Sequence, residues 1–283
     1  MRKLKGVITA MERKYSLVFL TYNGWSPAET IYNANLIGYD CVSLRTIPQG
    51  LPGERNNEIT GNNERYRATR QALEDTGMVM NDTELAKIDA GTDVTTYRPH
   101  LEAAASLGVR NIVTNIWVDD SEFYIEAFAK LCDIAAEFSM VVNLEFVTWS
   151  KVRNLAEARH IIEAAGRSNA AVLIDTLHFH RSRVTLEELA SCPKELIRIA
   201  HICDAPPGFP TDEASLIHTG RAERLYPGDG VVDIAGIVKL LGDHVVLGVE
   251  VPNNVIAERI GPTEHARRCL ERTKQYMKAH GLE

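Results

Sequence analysis

An eightfold alternation is the feature that most constrains this chain. Short apolar, β-branched runs recur at Tyr15–Leu20, Asp40–Leu44, Gly77–Met80, Asn111–Ile116, Met140–Phe146, Ala171–Asp175, Ile197–Cys203 and Val245–Val251. Such runs suit strands and are mostly too short for helices. Helical patterns separate them. Ser26-Pro27-Ala28-Glu29 is a capping box with proline at the first helical position, and Gly38 is a fitting stop. Residues 62–76, 97–107, 121–138, 154–165, 233–241 and 263–280 read as further helices, and Thr185-Leu186-Glu187-Glu188 as a second capping box. Strands that alternate with helices lie parallel, because each crossover returns the chain to the same edge. Eight such units in 283 residues predict an α/β chain folded as a (β/α)8 TIM barrel, one domain over residues 1–283. The alternative is a doubly wound sheet, which usually has a Gly-rich turn after its first strand. Thr21-Tyr22-Asn23-Gly24-Trp25 is not one. Two long connections, Thr46–Gly61 and Ala205–Val232, are expected to be functional loops.

Barrel chemistry sits at the C-terminal strand ends. Four consecutive strands each present one hard ligand there: Glu145 in Leu-Glu-Phe, Asp175 in Leu-Ile-Asp, His201 in Ala-His-Ile and Glu250 in Val-Glu-Val. Singly, Asp175 reads as a helix N-cap and His201 as a core histidine paired with Asp204. Glu145 and Glu250 resist that reading. A carboxylate flanked by apolar residues in a barrel strand loses its hydration and needs a cation or a proton. Together the four explain one another as the site of one divalent ion, Mn²⁺ first, with Mg²⁺, Co²⁺ or Zn²⁺ as alternatives.

Leu-Glu145-Phe, Ile-Asp175-Thr-Leu-His178, Ala-His201-Ile-Cys-Asp204, Arg224-Leu-Tyr-Pro227-Gly228-Asp229-Gly230 and Val-Glu250-Val-Pro resemble the xylose-isomerase-like TIM barrel superfamily. Within it they resemble the sugar phosphate isomerase/epimerase group, which includes ketose 3-epimerases, inosose isomerases and dehydratases, and 3-dehydroshikimate dehydratases. The resemblance implies Glu145, Asp175, His201 and Glu250 as metal ligands. It implies the two glutamates as an acid/base pair, and His178 and Arg224 as substrate ligands. Enolisation needs a base at the carbon beside a carbonyl and a Lewis acid on its oxygen, which a glutamate pair and a metal would supply. Arg221 joins Arg224 in the loop after strand seven, where barrels capture phosphate or carboxylate. Gly228 and Gly230 are expected only to turn the chain. Asn115 and Trp149, with Arg45 and Trp117, are candidate pocket liners. Where ketose 3-epimerases have an acid six residues after the strand-five glutamate, this chain has Lys151.

Composition narrows the partners. Lys plus Arg is 31 against 38 Asp plus Glu, a formal charge of −7, which argues against the broad basic surface a nucleic-acid binder uses. Endonuclease IV, a more distant relative, also needs histidines on earlier strands, absent near Arg45, Asn81 to Glu84 and Asn115. Cys41, Cys132, Cys192, Cys203 and Cys269 are scattered without a CxxC, so no disulfide framework or thiolate zinc site is expected. A basic start (Arg2, Lys3, Lys5) precedes an apolar stretch that Glu12, Arg13 and Lys14 interrupt too early for a signal peptide. No apolar run approaches the ~20 residues of a membrane span. The expectation is a cytoplasmic enzyme for a carbohydrate-like small molecule, with no nucleic-acid or membrane partner; a homo-oligomer is open. The leading activity is a metal-dependent isomerase or epimerase. The alternatives are a lyase of the dehydratase type and a non-catalytic sugar-binding barrel.

Overall fold

The structure is a computed structural model that describes residues 13–22, 24–51 and 53–283. The basic start of the chain, and Asn23 of the turn after the first strand, lie outside the described residues. Eight strands form a closed barrel in chain order. They are β1 (Tyr15–Val18), β2 (Cys41–Arg45), β3 (Val79–Ile88), β4 (Asn111–Ile116), β5 (Val141–Glu145), β6 (Ala170–Asp175), β7 (Ile197–Ile202) and β8 (Val246–Val249). Every neighbouring pair is parallel, and β1 closes the ring on β8 with Ser16 opposite Gly248. The helices are α1 (Pro27–Ile37), α2 (Glu64–Thr76), α3 (Arg98–Ser106), α4 (Ser121–Glu137), α5 (Leu155–Ala165), α6 (Thr176–Arg181), α7 (Leu186–Ala190), α8 (Glu213–Ala222), α9 (Ile234–Leu240), α10 (Asn254–Ile260) and α11 (Pro262–Ala279). The (β/α)8 barrel expected from the alternation is the fold observed. None of these helices is long and apolar enough to cross a membrane.

Local chemistry sets the boundaries. The Ser26 side chain accepts from the Glu29 N–H while Glu29 takes the Ser26 N–H at 2.6 Å, and Gly38 ends α1 in the left-handed region at φ 99°. Alternate residues of the strands face opposite layers. Val172 and Ile174 of β6 join the core packed with the helices. Leu173 between them packs with Val113, Ile199 and Leu85 in a separate cluster, the filling of the barrel itself.

Four segments depart from the sequence reading. The third strand does not stop at Met80 but runs to Ile88, with its pairing shifted at Val42/Ser43 and again between Thr83 and Ala86. Its middle, Asn81-Asp82-Thr83-Glu84, is polar, so the apolar signal breaks off while the backbone ladder continues. The Ala205–Val232 connection is not structureless, since it holds α8. Helices α6 and α10 also went unread; at six and seven residues they are too short to display a helical period.

Candidate active site

Glu145, Asp175, His201 and Glu250 converge at the C-terminal rim of β5 to β8. One ligand atom from each lies within 4.8 Å of the other three. Register makes this possible: Asp175 ends β6 directly opposite His201 on β7, and His201 lies opposite Gly248 on β8. Gly248 is there for room. A Cβ at that position would stand 2.7 Å from both the His201 ring and Val18. Asp175, His201 and Glu250 are buried, whereas the Glu145 side chain keeps 12% of its surface open to the cavity.

Asp175 combines its two expected readings. Its Oδ1 caps α6 by accepting from the Leu177 and His178 N–H groups, and its Oδ2 faces the cluster. His201 does not pair with Asp204. Asp204 is spent on the backbone N–H groups of Ala205, Gly228, Gly230 and Val232. Gly228 and Gly230 therefore do more than turn the chain. A Cβ on Gly230 would come within 2.2 Å of the Ala205 carbonyl, so only glycine brings this loop against Asp204. The clamp and the Asp204–Leu225 bridge fix the neighbouring Arg224.

Arg224, expected to hold substrate, is fully buried and directs its guanidinium at the cluster. Its Nη1 lies 2.6 Å from Asp175 Oδ2 and 2.9 Å from Glu250 Oε2, while Nε donates to the Gly220 carbonyl. The same side chain also lines the cavity. Its contacts make the two glutamates unequal. Burial pushes the Glu145 carboxyl up to about 8, against the pull of His201. Burial would raise Glu250 as well, but Arg224 and His201 hold it well below the usual carboxylate range. For His201, burial is outweighed by the carboxylates, Glu250 foremost, which push the ring up to about 10.

The donor set fits a divalent cation. Both ring nitrogens of His201 are buried without a hydrogen-bond partner among the described residues. Its Nδ1 faces Glu250 at 3.4 Å, Glu145 at 3.8 Å and Asp175 at 4.0 Å. One imidazole cannot serve three carboxylates, and Arg224 reaches only two of them. The 4.8 Å span is about that of two metal–oxygen bonds of roughly 2.1–2.4 Å.

A cavity of about 290 Å³ opens beside this cluster, lined by Glu145, Glu250 and Arg224. His178, Arg221, Asn115 and Trp149 all line it, as do Arg45 and Trp117. His178 Nδ1 accepts weakly from the Thr148 N–H at 3.4 Å, which leaves Nε2 to hold the proton, and burial lowers its pKa to about 4. Trp149 meets the His178 ring edge-on at 4.9 Å, and a Cβ on Gly220 would lie 2.3 Å from the indole. Trp117 Nε1 donates to Asn115 Oδ1 at 2.6 Å. Lys151 is not a lining residue; it pairs with Asp119 at 2.8 Å. Glu84, Leu85 and Lys87 also line the cavity and were missed, because they lie on the unread half of β3. The usable signal was Ala86-Lys87-Ile88, two core residues flanking a polar one.

Residues 31–276 match the family model of the xylose isomerase-like TIM barrel. An inosose isomerase of Bacillus velezensis is 27% identical over 255 residues, covering 80% of this chain and 86% of that protein. Two solved structures share the barrel. An IolI protein with a bound zinc atom has a TM-score of 0.75 at 19% identity, over 94% of this chain and 98% of that one. The D-allulose 3-epimerase from Methylomonas sp. has a TM-score of 0.66 at 17% identity, over 93% and 97%. The curated relatives of this chain make it an enzyme of the isomerase kind, and the lyase expectation gains no support. With the match spanning most of its length, the chain belongs to the xylose isomerase-like TIM barrel family.

Proposed function

We propose that this enzyme is a divalent-metal-dependent isomerase of a polyhydroxy ketone, with an inosose as the leading substrate, acting by proton transfer at the carbon beside the carbonyl. One observation carries the reading: three carboxylates meet around the His201 imidazole, and two of them, Glu145 and Glu250, line a cavity of substrate size. A bound ion would polarise the carbonyl oxygen and acidify the adjacent C–H. Three carboxylates and an imidazole favour manganese; the zinc of the IolI protein makes zinc the second choice.

The chain's own residues divide the work. Glu145 is the better base, because it is open to the cavity and the Arg224 guanidinium, which holds Glu250, does not reach it. Glu250, held by Arg224 at 2.9 Å, is the weaker base, suited to returning a proton on the second face. His178 offers its Nε2–H to a substrate oxygen. Arg221, Asn115 and Trp149 border the substrate, and Arg224 holds Asp175 and Glu250 in line. The five cysteines are unpaired and buried, which suits a reducing, cytoplasmic setting.

Incubating the metal-loaded protein with inosose in D₂O tests the reading. Deuterium should enter beside the carbonyl without loss of water. Glu145→Gln should cut that exchange by about 10²–10⁴-fold while metal is partly retained, the range for a missing general acid or base. Loss of water would make the enzyme a dehydratase. Undiminished exchange in Glu145→Gln would remove the glutamate from proton transfer.

A further inference from the structure

Across the barrel mouth from the metal ligands lies a second charged constellation. In a ring of eight strands β2 faces β6 and β3 faces β7, so Arg45 and Glu84 stand opposite Asp175 and His201. Arg45 ends β2 in register with Glu84 of β3, and both line the cavity. Their contact is single: Arg45 Nη2 to Glu84 Oε2 at 3.0 Å. Arg45 Nε and Glu84 Oε1 are buried and have no hydrogen-bond partner among the described residues. Gln49, close by, cannot donate to Glu84 Oε1, because its NH2 group is committed to the Ile47 and Leu85 carbonyls. The geometry is held rather than loose. The Arg45 guanidinium carbon sits over the Phe19 ring, 4.4 Å from its centroid, and the Glu84 carbonyl takes the N–H groups of both Thr46 and Ile47.

A pair serving stability alone would close both ends of the fork on the carboxylate, since unmet buried donors and acceptors cost stability. This pair keeps one donor and one acceptor uncommitted, on two side chains that both line the cavity. The pair is neutral overall, so it neither needs an ion nor draws an anion. Neighbouring hydroxyls have the complementary pattern, one donating to the carboxylate and the next accepting from the guanidinium.

We propose that Arg45 and Glu84 form a diol-reading subsite that positions the hydroxyl-bearing end of a neutral cyclic polyol while its carbonyl end faces Glu145. The proposal rests on the polyhydroxy-ketone reading above and deepens it. The test uses equilibrium binding of myo-inositol, which has no carbonyl and cannot enolise, against its monodeoxy analogues, by calorimetry on the metal-loaded protein. Wild type should bind myo-inositol about 10–100-fold more tightly than at least one monodeoxy analogue, the discrimination of a hydrogen bond to a charged group. Glu84→Gln should bring that ratio near one with metal content unchanged. A merely structural role would weaken all the ligands alike and leave the ratio as it was. If Glu84→Gln does not fold, Arg45→Lys gives the same reading. Failure of both to fold, an unchanged ratio, or no binding of any of these polyols to wild type would overturn the subsite. Deuterium exchange on inosose is scored separately. Its absence with the binding ladder intact would refute the reaction and leave the subsite standing.

Discussion

The two sides of the barrel rim treat buried charge in opposite ways. On β2 and β3, Arg45 and Glu84 neutralise each other at 3.0 Å. On β5 to β8, three carboxylates face one guanidinium and one imidazole, with Arg224 reaching Asp175 and Glu250 but not Glu145. The difference lies in the count of charge, not in depth, for Glu84 and Glu250 are similarly buried. A balanced pair is complete without an ion. An unbalanced cluster is complete only with a cation or with protons on its carboxyls. The same fold thus builds a neutral wall and an ion-hungry wall around one cavity.

The sharpest break of this comparison removes a ligand. Asp175→Ala and His201→Ala should lower metal content from about one ion per chain to near zero, and abolish the rise in Tm on adding metal, since an ion bound only by the folded state stabilises it. Glu84→Gln should leave both unchanged. Full metal content in both ligand variants, measured by elemental analysis, would mean that the two walls do not differ as described.

Arg224 gives the next largest effect. Its burial against two carboxylates implies that Arg224→Met leaves the metal-free cluster without its counter-charge, a loss of about 3–5 kcal/mol for a broken buried pair. Metal should repair much of this, so the metal-induced rise in Tm should exceed that of wild type. A variant with wild-type stability whose KM alone rises would instead give Arg224 to the substrate.

How much of this was legible in the sequence follows from the same physics. Glu145, Asp175, His201 and Glu250 stand out because each interrupts an apolar run at a strand end, and their common rim follows from the (β/α)8 order. The partners of Arg224 were not legible. They depend on the Asp204 clamp and on the Asp204–Leu225 and Glu223–Asn253 bridges, which join residues with no shared periodicity. Glu84 was lost because β3 turns polar at Asn81, where a strand inside a closed barrel still has both neighbours to pair with. The long loop after β7 read as functional for its length, yet α8 within it is what places Gly220 under Trp149.

That contact sharpens the comparison at the cavity wall. Gly220→Ala puts a methyl group 2.3 Å from the Trp149 ring, so the indole must move. A loss of about 1–3 kcal/mol, as for an overpacked core, should accompany a raised KM with metal content intact. Unchanged stability and KM would show that Trp149 has room and takes no part in shaping the pocket.

A titration separates His178 from the ligands beside it. In chelator-treated protein its folded pKa is lowered to about 4 by burial, while the unfolded chain titrates near 6.5. Above 6.5 the ring is neutral in both states and its contribution is fully present. Between 6.5 and 4 the unfolded chain takes up a proton that the folded chain refuses, so stability falls as pH falls. Below about 4 the loss is complete. The slope is at most that of one proton, about 1.4 kcal/mol per pH unit. Urea unfolding of chelator-treated wild type and His178→Phe from pH 7 to 4 isolates it, because every other titrating group is common to both. The wild-type curve should fall more steeply within that window and run parallel outside it. Parallel curves throughout would mean that His178 is charged in the folded protein, and its Nδ1 could not then accept from Thr148.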